Sequence, residues 1–208
     1  MSKKQKIVII DYGVGNVHSV ANAISFLGYS KLKISDKEID INGADTLILP
    51  GVGAFDEAMR NLNKRNLHLI LGENVLVKKK KILGICVGMQ MLASYSEENG
   101  IHKGLDWIKG SVKKLEVSSP FSVPHVGWND ILIKKSAPLF DNCINMAHFY
   151  FDHSYHFETE LSNIAAECDY GIKLTAAVQL ENIFGVQFHP EKSQLNGLRM
   201  FRSFFNSI

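Results

Sequence analysis

The stretch Lys81-Ile82-Leu83-Gly84-Ile85-Cys86-Val87-Gly88-Met89-Gln90 constrains the fold of this chain more than any other. It is an apolar run that stops at Gly-Ile-Cys-Val-Gly and passes directly into amphipathic sequence. The reading is a strand that delivers Cys86 into a sharp strand-to-helix turn. Such a turn lifts the side chain out of the sheet and sets it beside the free N–H groups of the next helix. A thiol in that place is a nucleophile candidate, because a helix N-terminus favours thiolate over thiol.

The first half of the chain supplies the sheet that this turn needs. Short β-branched runs at residues 6–11, 31–35, 46–50 and 81–86 alternate with helix-period segments at 16–27, 55–64 and 67–80, and Asn16 and Asp56 suit helix starts. That alternation is the pattern of a parallel sheet wrapped by helices. The carboxyl ends of the strands bring Tyr12 to Asn16, Gly51 to Gly53 and Cys86 to one edge, where ligands collect in open α/β sheets. The glycines at 13 and 15 lack the spacing of a dinucleotide-binding fingerprint. In the second half, runs at 107–117, 129–135, 149–158, 164–170 and 173–180 read as partly antiparallel strands. A last run at 183–188 leads into His189-Pro190-Glu191, and Ser193 suits the N-cap of a final helix with Leu198, Phe201, Phe204 and Phe205 facing inward. A single domain over residues 1–208 is expected, large enough to bury roughly 70% of its unfolded surface.

Composition narrows the classes of partner. A net charge of +2 offers no broad field for nucleic acid. No run is long and apolar enough for a membrane span, and the apolar stretch after the basic N-terminus is too short for a signal-peptide core. Three cysteines, Cys86, Cys143 and Cys168, cannot all pair, so the expected compartment is the reducing cytoplasm. Cys143 and Cys168 read as small apolar fillers, and no metal or cofactor is expected.

Pro190 biases His189 toward extended dihedrals, which send residues i and i+2 to the same side about 6.5 Å apart. Glu191 can then reach the His189 ring, fix its tautomer and support the imidazolium. Taken singly, Cys86 fits a buried filler, His189 a satisfied core or surface histidine, and Glu191 a solvated charge. Together they make a nucleophile, a base and an orienting group, provided the fold joins positions more than one hundred residues apart.

Gly84-Ile-Cys-Val-Gly-Met-Gln90 with Gly185-Val-Gln-Phe-His-Pro-Glu-Lys-Ser193 resembles the class I glutamine amidotransferases, whose glutaminase domains carry a Cys-His-Glu triad. Asp11-Tyr-Gly-Val-Gly-Asn16, Leu49-Pro-Gly-Val-Gly-Ala-Phe55, Pro124-His-Val-Gly-Trp-Asn129 and His153-Ser-Tyr155 narrow the likeness to the glutaminase subunits of imidazole glycerol phosphate synthase, over essentially the whole chain. The resemblance implies a flavodoxin-like, mixed but mainly parallel sheet flanked by helices, with an added antiparallel region in the second half. It also implies hydrolysis of L-glutamine to glutamate and ammonia by Cys86, His189 and Glu191. The oxyanion would rest on the N–H of Val87 and on the Val52–Gly53 segment, whose peptide flips in the resembled family. One such donor is worth roughly 2.7–4 kcal/mol. Gly53, Gln90 and the backbone of Ser154 and Tyr155 would hold the amino-acid end of glutamine.

The same likeness implies a heterodimer with a (β/α)₈-barrel cyclase subunit that takes up the ammonia in histidine biosynthesis. Asn16, Pro124, Trp128, Tyr150 and Lys192 match the subunit contact. Two residues depart from the family pattern: Val126, where methionine is frequent, and Asp152, where an apolar residue is commoner, neither expected to touch the triad. They leave open a paralogous subunit that feeds a surface-sugar synthetase. A non-catalytic glutaminase-like scaffold and a DJ-1-like cysteine hydrolase are the other readings. The first is disfavoured by the complete triad, and the second lacks the terminal His-Pro-Glu.

Overall fold

A computed structural model describes residues 5–134, 138–141, 143 and 146–206. The first half alternates as its pattern predicts. Strands β1 (Ile7–Ile10), β2 (Leu32–Ser35), β3 (Thr46–Gly51) and β4 (Lys81–Cys86) are joined through helices α1 (Val17–Phe26), α2 (Glu38–Gly43), α3 (Phe55–Lys64) and α4 (Leu67–Gly72). Helix α4 runs on into a π turn, Glu73–Val77, so the segment expected as one helix over 67–80 ends early. Asn16 caps α1, its Oδ1 accepting from Ser19 N at 3.4 Å. Asp56 does not cap α3: Ala54 holds the cap position, and the Phe55 N–H donates instead to the distant Glu98 carboxylate at 2.8 Å.

After β4 the chain turns through the short helix α5 (Val87–Gln90), then β5 (Tyr95–Ser96), β6 (His102–Lys103), β7 (Gly110–Lys114), β8 (His125–Asp130) and β9 (Leu132–Ile133). The remainder comprises β10 (His148–His153), β11 (Tyr155–Thr159), β12 (Ile164–Asp169), β13 (Lys173–Leu180), β14 (Ile183–Val186) and helix α6 (Gln194–Asn206).

The main sheet has the order β2-β1-β3-β4-β14-β13-β12-β9. Its first five strands run parallel, and β13, β12 and β9 are added antiparallel. Strand β4 is central, between β3 and β14, and its residues from Ile82 onward are buried on both faces. The register sets Gly51 opposite Cys86 and Ile85 opposite Val186, so three strands end together at one edge.

Two expected strands break differently. The run at 149–158 divides at Ser154, because its halves pair with different partners, β10 with β8 and β11 with β7. The run at 129–135 is covered by the end of β8 and by β9, with Lys135 outside the described residues. In α6, Phe201, Phe204 and Phe205 are buried as the spacing predicts, and Leu198 is partly buried.

The turn at Cys86 depends on close backbone approach. A Cβ on Gly88 would lie 1.8 Å from Leu49 O, one on Gly84 2.5 Å from Gly88 O, and one on Gly51 2.6 Å from Gly88 N. Gly88→Ala should therefore lower the unfolding free energy by about 1–3 kcal/mol, read as a lower urea midpoint at unchanged slope. A wild-type midpoint would contradict the packing described.

Candidate active site

Cys86 ends β4 with φ 54 and ψ −112, a strained conformation for a residue with a side chain, and stands at the first turn of α5. The turn exposes the sulfur to a cavity of about 310 Å³ at the carboxyl edge of the sheet. From the sequence-derived candidates the cavity collects Cys86, His189, Val52, Gly53, Val87, Gln90, Ser154, Tyr155, Pro124 and Lys192.

His189 reaches Cys86 because its loop is tied to β10. Its N–H donates to Tyr150 O at 2.8 Å, the Ser193 hydroxyl donates to His189 O at 2.6 Å, and Tyr150 N donates to that hydroxyl at 3.0 Å. This corrects the expected capping role of Ser193: its carbonyl accepts from Gly197 N, but its side chain binds the His189 loop to the neighbouring strand. His189 Nδ1 lies 2.9 Å from Glu191 Oε1, and both side chains are almost wholly buried. The other ring nitrogen is left to face the Cys86 sulfur. Burial disfavours the charged ring, yet Cys86 and Glu191 outweigh it and hold the His189 pKa up at about 10. The second Glu191 oxygen is buried without a hydrogen-bond partner, so His189 is the group its charge serves.

The other thiols differ in chemistry. Burial pushes Cys143 up to about 11 and Cys168 up to about 12, which makes both weak nucleophiles.

Val87 begins α5, and its N–H stands next after the cysteine. Gly53 has φ 81, a left-handed conformation that favours glycine, and open space lies around the position a Cβ would take. Pro50 ahead of it is pinned, its carbonyl accepting from the buried Tyr12 hydroxyl at 2.6 Å. Gln90 is buried and its amide nitrogen is committed to Tyr155 O at 2.9 Å and Gln187 Oε1 at 3.0 Å.

Three residues around the cavity escape the sequence reading. Gln187 donates to the Cys86 sulfur at 3.7 Å, and a polar residue within the apolar run at 183–188 is the available signal. Glu98 lines the cavity, and burial raises its carboxyl above the ordinary range although the Phe55 N–H opposes this. Nothing in the local sequence marks it. Asp152 does not stand clear of the triad as its place in the pattern suggests: its main-chain oxygen lies 3.9 Å from the Cys86 sulfur, while its carboxylate sits 3.9 Å from Lys192 Nζ.

The outward face of β8 and β10 continues from the cavity rim. Trp128 is half-exposed, its ring 6.2 Å from that of Tyr150, and Lys192 Nζ lies 5.2 Å from the Tyr150 ring. Val126 and Asp152, the two departures from pattern, face each other across this ladder. Asn16 stands apart from the cavity lining.

Behind the rim, His153 Nδ1 donates to Tyr155 O at 2.9 Å and its Nε2 accepts from His125 Nδ1 at 3.0 Å, the only neutral assignment these partners allow. Burial lowers the His125 pKa to about 4 and the His153 pKa to about 3. Unfolded histidines take up protons near pH 6.5, so between there and pH 4 only the unfolded chain binds them and stability falls as pH falls. Urea unfolding should thus show a stability loss of roughly a few kcal/mol from pH 7 to pH 4. The slope should be shallower in a His125→Gln/His153→Gln variant, and an unchanged slope would contradict the assignment.

The sheet, the elbow and the Cys–His–Glu cluster define a class I glutamine amidotransferase. The chain belongs to that family: the family model described as Glutamine amidotransferase class-I matches residues 8–208. Among curated relatives, it is 49% identical over 203 residues to "Imidazole glycerol phosphate synthase subunit HisH 2" of Vibrio vulnificus, covering 98% of this chain and 95% of that one. It is 45% identical to the protein of the same name from Pseudomonas aeruginosa, covering 97% and 100%, and 43% identical to "Imidazole glycerol phosphate synthase subunit HisH 1" of Campylobacter jejuni, covering 95% and 98%. Among solved structures, a putative GMP synthase protein from Thermoplasma acidophilum superposes with TM-score 0.72 at 22% identity, covering 98% and 94% of the two chains. A structure described as a glutamine amidotransferase superposes with TM-score 0.74 at 17% identity, covering 96% of each. These two likenesses concern the fold.

Proposed function

We propose that this chain, a single domain over residues 1–208, is the glutaminase subunit of an imidazole glycerol phosphate synthase. It hydrolyses L-glutamine and passes ammonia to a (β/α)₈-barrel cyclase subunit in histidine biosynthesis. The observation that carries the reading is the buried Cys86–His189–Glu191 cluster at the floor of a cavity sized for one small substrate. The curated relatives' names support the pathway.

Cys86 attacks the side-chain carbonyl carbon of glutamine as its thiolate, while the proton rests on His189 beside it. The oxygen of the tetrahedral intermediate is met by the N–H of Val87 and by the Val52–Gly53 peptide once that peptide turns inward, a motion the open space at Gly53 permits. His189 gives its proton to the departing nitrogen, the C–N bond breaks, and ammonia leaves a thioester. The ring, now neutral, takes a proton from water as water attacks the thioester, which releases glutamate and restores the starting state. Glu191 holds the imidazole through Nδ1 throughout.

The amino-acid end of the substrate lies among Gly53, Gln90 and the backbone of Ser154 and Tyr155. Glu98, a carboxylate on the cavity wall, meets the α-ammonium group. Pro124, Trp128, Tyr150 and Lys192 form the rim toward the partner, with Asn16 further along the same interface. The location that goes with this reading is the cytoplasm; separately, among the described residues no helix is long and apolar enough to cross a membrane.

A second reading is a paralogous subunit feeding a different acceptor, such as a surface-sugar synthetase. It is favoured by the cross-strand pair Val126 and Asp152 on the partner-facing rim and by the numerals 1 and 2 in the relatives' names.

Cys86→Ala should abolish glutamine hydrolysis, a loss of at least about a thousandfold given a nucleophile's share of catalysis, with an unchanged thermal unfolding curve. Hydrolysis retained by the purified variant would overturn the triad. Trp128→Ala and Lys192→Ala should weaken the barrel subunit's hold or the ammonia-coupled turnover more than stability. Co-purification from the native cell decides between the readings: a cyclase that makes imidazole glycerol phosphate supports the first, and a sugar-modifying synthetase the second.

A further inference from the structure

Gln187 is fully buried between β14 and His189, and its backbone N–H donates to Ala176 O at 2.9 Å. A buried carboxamide is costly unless both ends are satisfied, and here both are engaged. Its Oε1 accepts from Gln90 Nε2 at 3.0 Å, and its Nε2 points at the Cys86 sulfur at 3.7 Å. One carbonyl decides the orientation of both amides. Tyr155 O can only accept, so the end of Gln90 lying 2.9 Å from it is nitrogen. The same nitrogen meets Gln187, which must therefore present oxygen there and turn its nitrogen toward the sulfur. Reversing Gln187 alone would set two donors against each other in a buried site.

We propose that Gln187 is an N–H donor to the Cys86 sulfur, oriented by Gln90 and Tyr155, that stabilises the anionic nucleophile and holds it toward His189. The inference rests on the reading of Cys86 as nucleophile. A thiolate is a stronger acceptor than a thiol, so a donor fixed against the sulfur favours ionisation. The titratable groups around that sulfur and its cavity are His189 and Glu191 from the turn after β14, Tyr12 from the end of β1, Asp152 and His153 from β10 with Lys192 beside Asp152, Tyr155 from β11, and Glu98 from the loop after β5. Gln187 differs from all of these in carrying no charge and no titrating proton. Gln90 acquires a role in the same chain: its amide nitrogen serves the nucleophile through Gln187.

The test is alkylation of Cys86 by iodoacetamide from pH 6 to 10 in the full-length protein, scored by mass spectrometry of the Cys86 peptide so that Cys143 and Cys168 do not contribute. Gln187→Met, similar in size but without a donor, should displace the alkylation profile of Cys86 along the pH axis to higher pH by about one unit, on the scale of one hydrogen bond to a charged group. Glutaminase kcat should fall with KM nearly unchanged. Gln90→Met keeps Gln187 but frees its amide to turn. It should displace the profile in the same direction by a smaller amount, and it decides the matter if Gln187→Met does not fold. Alkylation profiles that superimpose on wild type in folded variants would overturn the inference. A shifted profile, together with no glutamine hydrolysis by the wild-type protein and its barrel partner, would leave this inference standing and remove the functional reading.

Discussion

The arrangement of this protein depends on one close approach of backbone to backbone, where α5 presses against β3 and β4. Gly84, Gly88 and Gly51 leave no room for a Cβ between these segments. The tight fit holds Cys86 in a conformation that an unconstrained residue would leave, because β4 is locked on both sides by parallel ladders. The residues that follow Cys86 take their positions from this elbow. Val87 presents the start of α5, and Gln90 turns inward to Tyr155 and Gln187.

The second determinant is electrostatic. Among the described residues four histidines are buried, and the surroundings of His189 push it opposite to His125, His153 and His156. His189 has a buried carboxylate and the cysteine beside it and carries charge, whereas His125 and His153 have a carbonyl and each other and remain neutral. A charged ring suits proton transfer to a leaving group. The neutral pair suits a supporting role, fixing the Tyr155 backbone from behind and joining β8 to the Tyr155 wall of the cavity.

Much of this is legible in the chain itself because it rests on local pattern. Strand β4 and helix α3 have the boundaries their apolar spacing predicts, and the parallel half of the sheet follows from alternation of periods. His189 is extended as Pro190 dictates, but Pro190–Lys192 forms a 3₁₀ turn, so Glu191 reaches the ring from that turn rather than from the expected extended i to i+2 run. The break at Ser154 is not legible, since the residues on either side have equal strand character and only their separate partners divide them. Ser193 has the residue type of a helix cap, but the approach of β10 offers its hydroxyl a different partner. Glu98 and Asp152 carry no local signature, and they reach the cavity only through loops and strands separate from the Cys86 elbow.

By itself the sequence marked where the elbow falls, the extended dihedrals of His189 ahead of Pro190 and the alternation that builds the parallel half of the sheet, since each is written in short-range sterics and apolar periodicity. Tertiary structure alone decided that Cys86 and His189 meet, that Gln187 faces the sulfur, and that two histidines stay uncharged while a third does not. These outcomes turn on burial and on partners brought from distant strands, and neither desolvation nor a long-range hydrogen bond is encoded in the spacing of neighbouring residues.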